Sequence, residues 1–384
     1  MAKNQNEFRP DYVSLPGDTL SEVLESIEMT QVELARRMGR PKKTINEIIQ
    51  GKTAVTPETA LQLELVLGVP ATFWNNRERQ YQEAKARIEE EKQLQNQVGW
   101  LHENQVPIQE MCQRQWISCH DDRVSQLREI LSFFGVASID QCHAVWNSYD
   151  AGFRHSAKRP TNWTAVYAWL RKGGLEAQEI MCQPYDDRSF HGVLKDVARL
   201  TSEKFETIWP DVVERCAGVG VAVVVIPALT NTAVSGATRW LSPNKALLQL
   251  SLRYKSDDQF WYSFFHESGH ILKHGKKKLF LELESENGEI NRLEQEADKF
   301  ATDLLIPPST WQQFKGNIGK RYPSRAEVTS FARELGVAPG IVVGRLQHEH
   351  IMPYSHLNDL RRGLQQDDNG QITSMLYRKN LCAD

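Results

Sequence analysis

Two histidines four residues apart, with a glutamate directly after the first, stand in the segment His266-Glu267-Ser268-Gly269-His270. On a helix, residues i and i+4 share one face about a turn apart, so two imidazole nitrogens can converge on a single ion. Glu267 then reaches toward a water that the ion activates, which would make it the general base of a zinc peptidase. The pattern fixes only three positions, and histidines on a helix surface would satisfy it equally. A third donor separates the two readings, because catalytic zinc keeps three protein ligands and one open position. The segment Asn291 to Ile306 reads as a helix whose apolar stripe is Leu293, Ala297, Phe300, Ala301, Leu304 and Leu305, and it carries Glu294 and Asp298 one turn apart on one flank. Either can be the direct ligand. Glu294 is favoured, because a carboxylate bordering a buried stripe costs several kcal/mol unless paired or coordinated. Asp298 is then placed to accept a hydrogen bond from a ligating histidine and fix its tautomer. Glu296 is expected to turn toward Lys299 and Asp303 in solvent.

These side chains need a scaffold. Asp257 and Asp258 suit the positive end of a helix dipole and open the histidine helix, which continues through Phe260, Trp261, Phe264, Phe265, Ile271 and Leu272. Before it, the β-branched run Val219 to Ile226 ends at Pro227 and reads as a strand buried on both faces. Two weaker strands are predicted at Val234 to Trp240 and Leu247 to Leu252. In the second, Leu248, Leu250 and Leu252 alternate with Gln249, Ser251 and Arg253, predicting one buried and one wet face, and this strand is a candidate for binding substrate backbone by β-addition. Tyr262, Arg239 and the lone histidines His143, His155 and His191 are unranked candidates for an oxyanion donor. As metal ligands the lone histidines are disfavoured.

The other chemistry lies near the amino terminus. Leu20, Val23, Leu24 and Ile27 recur at helical steps from Asp18. Thr30 with Glu33 forms a capping box before Val32, Leu34, Ala35 and Met38, and Gly39 ends that helix. Pro41 suits the first turn of a third helix, Lys42 to Gln50, which buries Ile45, Ile48 and Ile49 and is closed by Gly51. Thr56-Pro57 opens a fourth, predicted to bury Ala60, Leu61, Leu63, Leu65 and Leu67 up to Gly68. A short turn between the second and third helices lets the third enter a DNA major groove. Arg36, Arg37, Arg40, Lys42 and Lys43 then face phosphates, while Lys43, Thr44, Asn46 and Glu47 read bases. A four-helix protein-binding module with a solvated charged face is the competing reading.

Here the stretch LPGDTLSEVLESIEMTQVELARRMGRPKKTINEIIQGKTAVTPETALQLELVLGVPATFW resembles the Xre-type helix-turn-helix of HigA-type antitoxins. That resemblance implies operator binding as a dimer, autoregulation beside a toxin partner, and structural roles for Gly17, Ala35 and Gly51. Farther on, SGATRWL, LSLRYKSDDQFWYSFFHESGHILKH, LEQEADKFATDLLIP and SRAEVTSFARELGVAPGIVVGRLQHEH together resemble the ImmA/IrrE metallopeptidases over roughly residues 216–351. Carried over position by position, this implies His266, His270 and Glu294 as zinc ligands and Glu267 as catalytic base. Many members have asparagine where this chain has Asp298, and an acid there still orients a histidine.

Composition sets the limits. The 384 residues suggest two or three domains, and 46 basic against 49 acidic residues confine any DNA binding to a local surface. Six cysteines without a C-x-x-C pair read as reduced thiols, and the sequence lacks a signal peptide or membrane span, so a cytoplasmic protein is expected. The predicted organisation is multidomain: an all-α helix-turn-helix domain over 1–80, a helical linker region over 81–210, an α+β zincin-like metallopeptidase domain over 211–354, and a polar, flexible tail over 355–384. Lys276-Lys277-Lys278 reads as a solvated loop.

The functional expectation is a DNA-binding transcriptional regulator or antitoxin, homodimeric on a double-stranded operator, whose zinc endopeptidase domain cleaves a protein partner or itself. The alternatives are an antitoxin with a non-catalytic zinc sensor or scaffold, and a metal-independent protein that grips a toxin.

Overall fold

The computed structural model describes residues 13–153, 162–232, 234–253, 256–275, 280–281, 288–366 and 372–377. The chain divides into two compact units, Met1–Trp100 and Leu101–Asp384, so the expected 81–210 segment is shared between them.

The first unit holds α1 (Pro16–Ser26), α2 (Gln31–Met38), α3 (Lys42–Ile49), α4 (Pro57–Leu67) and the long α5 (Ala71–Gln97). Local chemistry sets their ends. Thr30 and Thr56 accept hydrogen bonds from the backbone N–H groups of Glu33 and Thr59, and Gly39 and Gly68 take the left-handed conformation that closes α2 and α4. Only half of the expected capping box forms, because the Glu33 carboxylate pairs with Arg36 and Arg37 instead. Leu20, Leu24, Leu34, Met38, Ile45, Ile48, Leu63 and Trp74 make the core. Gly17 lies under α3, where a Cβ would stand 2.2 Å from the Ile49 carbonyl oxygen. Two expectations for α4 fail: Leu61 is 56% exposed and Leu65 is 86% exposed. Leucines two residues apart advance about 200° around a helix, so they cannot all face one core. Ile27 is exposed because it follows the last turn of α1 as its C-cap, and Val32 because it lies on the side of α2 away from Leu34, Ala35 and Met38.

After the short helices α6 (Trp100–Glu103) and α7 (Ile108–Gln113) come α8 (Arg123–Phe134), α9 (Ile139–Phe153), α10 (Trp163–Glu179), α11 (Asp187–Leu200) and α12 (Phe205–Ala217). The strands β1 (Val221–Val225), β2 (Gly236–Ser242) and β3 (Lys245–Leu250) precede α13 (Asp257–Lys273), and β4 (Phe280–Leu281) follows it. Next stand α14 (Gly288–Leu305), α15 (Pro308–Ile318), α16 (Arg325–Leu335), α17 (Pro339–His348), β5 (Arg362–Gln366) and β6 (Ile372–Tyr377).

The sheet order is β1-β3-β2-β4, with β1 parallel to β3 and the remaining pairs antiparallel. Its two faces are both covered. Val221, Val223, Val225, Leu248 and Leu250 meet Phe260, Trp261, Phe264 and Phe265 of α13, while Ala222, Val224 and Leu247 meet Val166, Trp169 and Leu170 of α10. This overturns the wet face expected for β3. Gln249 is fully buried, with its side-chain amide donating to the Trp169 carbonyl at 2.7 Å, and Ser251 donates to the Val234 carbonyl. The expected β-addition at this strand is also overturned, since β1 and β2 occupy both edges of β3.

Two further expectations change. Cys112 and Cys119 are joined by a disulfide, the turn after α7 bringing their Cα atoms to 5.7 Å, whereas Cys142, Cys182 and Cys216 are free. The segment after Tyr354 does not simply trail away. Arg362 of β5 is buried, and its Nε donates to Asp257 at 2.7 Å while its other nitrogens donate to the carbonyls of Thr201 and Glu203. Arg361 grips Asp258 with two bonds of 2.8 and 2.6 Å. The two aspartates therefore do more than face a helix dipole: they bind the chain's carboxy-terminal hairpin to the start of α13. The acidic cluster at Asp367 and Asp368, the lysines 276–278, His155 and Cys382 lie outside the described residues. Among the described residues, no helix is long and apolar enough to cross a membrane.

Candidate functional site

The metal-type site forms where α13 and α14 cross. Gly269, inside the histidine motif, sits against α14, and a Cβ there would stand 3.2 Å from the Cα of Ala297. Small residues at the crossing thus let Glu294, three residues before Ala297, reach the histidines. His266 Nε2 lies 3.0 Å from His270 Nε2 and 3.0 Å from Glu294 Oε2, and His270 Nε2 lies 3.5 Å from Glu294 Oε1. These three residues are the described group whose donor atoms could hold one metal ion. Four ligands at zinc distances of ~2.0–2.1 Å in a tetrahedron stand about 3.4 Å apart, so the triangle of donors fits zinc. The electronics fit as well, since two imidazole nitrogens facing each other beside a carboxylate match a cation that accepts both lone pairs.

Asp298 lies where expected, behind the first histidine. His266 Nδ1 is 2.8 Å from Asp298 Oδ1, to which the Tyr262 hydroxyl also donates at 2.7 Å. The Asp298 side chain is 51% exposed against 19% for Glu294, which suits an outer role for the aspartate and an inner one for the glutamate. Burial pushes the His270 imidazole down to about 4, so the ring is neutral near pH 7 and its lone pair is available. For Glu294 burial acts upward, but the contacts with His266 and His270 outweigh it and hold the carboxyl at about 2.

Glu267 is fully buried on the sheet side of α13. Its Oε2 accepts a 2.5 Å hydrogen bond from the Thr238 hydroxyl, and Oε1 lies where a Cβ on Gly236 would stand, at 2.5 Å. Both cradle residues belong to SGATRWL, and the alternation of β2 that aims Thr238 at Glu267 sends Arg239 to the other face. There Arg239 donates to the Leu170 carbonyl, which removes it as an oxyanion donor. The Tyr262 hydroxyl is committed to Asp298, His143 packs edge-on to Trp146, and His191 lies beside Phe300.

Sequence reasoning missed one more histidine. His274, a further turn along the same helix, places Nδ1 2.8 Å from His270 Nδ1 and Nε2 3.3 Å from Glu296 Oε2. Glu296 also binds Arg292 at 2.9 Å, so it does not turn toward Lys299 and Asp303 as expected. The signal was a second four-residue step, from His270 to His274.

In the first unit, α2, a turn at Gly39 to Pro41 and α3 form the helix-turn-helix. Lys42 and Lys43 are exposed and Thr44, Asn46 and Glu47 half-buried on α3, with Lys43 and Glu47 on the side opposite Ile45. Arg40 is less available than expected: it donates to Gln62 at 2.6 Å and lies 3.3 Å from Glu58. Lys43 stands 3.8 Å from Glu47, and Asn46 accepts from Gln50.

The family model described as Helix-turn-helix matches residues 20–74. This chain thereby belongs, through its N-terminal unit, to the helix-turn-helix transcriptional regulators, and that unit is a DNA-binding domain. An uncharacterized HTH-type transcriptional regulator, YddM of Escherichia coli (strain K12), is 34% identical over 71 residues, or 18% of this chain and 76% of that protein. An addiction module antidote protein of the HigA family from Coxiella burnetii is 27% identical, with 22% of this chain and 91% of that chain covered and a TM-score of 0.21.

Proposed function

We propose that the chain is a DNA-binding regulator of the antitoxin type whose second unit is a zinc metalloendopeptidase of narrow specificity, similar to the ImmA/IrrE metallopeptidases in a zincin-like α+β fold. The observation that supports this best is the convergence of His266, His270 and Glu294 beside the buried carboxylate of Glu267. Those three residues would hold the zinc. Zinc, when bound, supplies Lewis acidity toward a scissile carbonyl and the attacking water. Glu267, oriented by Thr238 and given room by Gly236, takes a proton from that water and passes it to the leaving amine. Asp298 keeps His266 in the tautomer whose Nε2 offers a lone pair.

Cleavage of a partner, such as a toxin or another repressor, or of the chain itself would couple this chemistry to the operator-binding unit, acting as a homodimer in the cytoplasm. The enclosure of Glu267 favours one second reading, a zinc-loaded sensor or scaffold that does not cleave.

Metal analysis tests the site. Roughly one zinc per chain in the wild type, kept in Glu267→Gln and lost in Glu294→Ala, is expected. The zinc-loaded protein, incubated with operator DNA and analysed by mass spectrometry, should yield fragments absent from Glu267→Gln. Zinc without fragments moves the assignment to the scaffold, and absence of zinc overturns the site.

A further inference from the structure

We propose that His274 and Glu296 are positioning residues that fix the tautomer of His270, a hydrogen-bonded relay His270–His274–Glu296 that prepares the second histidine for metal. The inference rests on the zinc reading of the same site and adds residues to it.

His274 follows the last turn of α13, where its backbone N–H still bonds the His270 carbonyl at 3.2 Å. Its side chain is only 1% exposed, so both ring nitrogens must find partners inside the protein. A carboxylate accepts hydrogen bonds, and Glu296 Oε2 lies 3.3 Å from His274 Nε2, which assigns the ring proton to Nε2. In a neutral imidazole the other nitrogen is then an acceptor. Across the 2.8 Å contact His270 Nδ1 therefore carries the proton and donates to His274 Nδ1. That leaves His270 Nε2 with its lone pair, aimed at His266 Nε2 and Glu294.

The far end of the relay is held too. Arg292 donates to Glu296 Oε1 at 2.9 Å, leaving Oε2 for His274. The two ligating histidines thus have separate supports from one helix: Asp298 touches His266 directly, and Glu296 acts on His270 through a second imidazole. A residue that orients a ligand in this way is generally worth ~10–100-fold in metal affinity.

The test uses the full chain and zinc affinity measured by chelator competition. His274→Leu keeps bulk and removes the acceptor, and should weaken zinc about 10–100-fold. His274→Asn places an amide oxygen where Nδ1 stands and should recover most of that loss. Glu296→Ala, which removes a side chain 42% exposed and leaves the core intact, should give a smaller loss. In the metal-free wild type, ¹⁵N shifts of His270, assigned by their disappearance in His270→Gln, should report the Nδ1–H tautomer.

Wild-type affinity in His274→Leu, equal losses in the leucine and asparagine variants, or an Nε2–H tautomer of His270 each overturn the relay while leaving the zinc site standing. A wild type that binds no zinc overturns the site and the relay with it.

Discussion

The two units place their chemistry in opposite environments. In the first, the residues available to a ligand lie on the wet side of α3, and the helices are set by caps and turns a few residues long. In the second, His266, Glu267 and His270 are buried, and their partners come from Thr238, Glu294, Glu296 and Asp298 on other elements. A surface for reading DNA works by presenting solvated groups to a large polyanion. The proposed metal centre instead depends on buried groups whose protonation and orientation are fixed in advance. The difference teaches that the first unit tolerates change at its charges, whereas the second is sensitive wherever a buried charge or lone pair is held.

The largest effect expected from this contrast is at Arg362. Replacing it with leucine removes the guanidinium from Oδ2 of the buried Asp257 and from the carbonyls of Thr201 and Glu203, and removing one partner of such a pair costs about 3–5 kcal/mol. Chemical denaturation followed by tryptophan fluorescence should show it in the second unit. Arg36→Ala, which breaks an exposed pair with Glu33 in the first unit, should leave stability unchanged within error. Equal effects at the two sites would erase the contrast.

Acidification should separate the units next. The folded pKa of His270 is lowered to about 4 from an ordinary 6.5, so its contribution to stability is fully present above 6.5 and is lost as pH falls toward 4. The metal-free second unit should therefore melt at progressively lower temperature across that window, by less than Arg362→Leu causes. His270→Gln should flatten the profile. A wild-type Tm that is level from pH 6.5 to 4 would contradict the assigned burial of this ring.

The smallest effects belong to α3. Asn46→Ala should cost about 1–3 kcal/mol at one base pair of the operator and relax preference there, while Lys43→Ala should weaken all sequences alike and reduce the salt slope by about 1. Binding isotherms on operator variants at several salt concentrations distinguish the two. If Asn46→Ala weakens every sequence equally, α3 is positioned by its backbone contacts and base reading lies elsewhere.

Much of the first unit was legible because its signals are local. Thr30, Gly39, Thr56 and Gly68 act on neighbours within a turn, and the pairs Leu20 with Leu24, Leu34 with Met38 and Ile45 with Ile48 keep the three- and four-residue helical steps that bury them together. Legibility stopped at exposed apolar positions such as Leu61 and Leu65, where leucine content outweighed angular position. In the second unit the histidine helix was readable from its period and β1 from its unbroken β-branched run. The covering of β3 on both faces, the grip of Arg362 and the disulfide of Cys112 with Cys119 were not, since each depends on segments distant in sequence or on a turn with no motif.

The sequence by itself determined the donors of the candidate centre. Histidine at 266 and 270, with glutamate at 267 and 294, are the residue types that zinc hydrolysis requires, and helical periodicity puts the first three on one element. Only the tertiary structure decided what each donor faces. The close crossing at Gly269 and Ala297 brings Glu294 within 3.0 Å of His266, β2 turns Thr238 toward Glu267 and Arg239 away from it, and His274 joins His270 to Glu296. The physical reason is range: a helical repeat acts over four residues, whereas the hydrogen bonds that orient a buried imidazole or carboxylate are made by whichever backbone the packing of the core brings alongside.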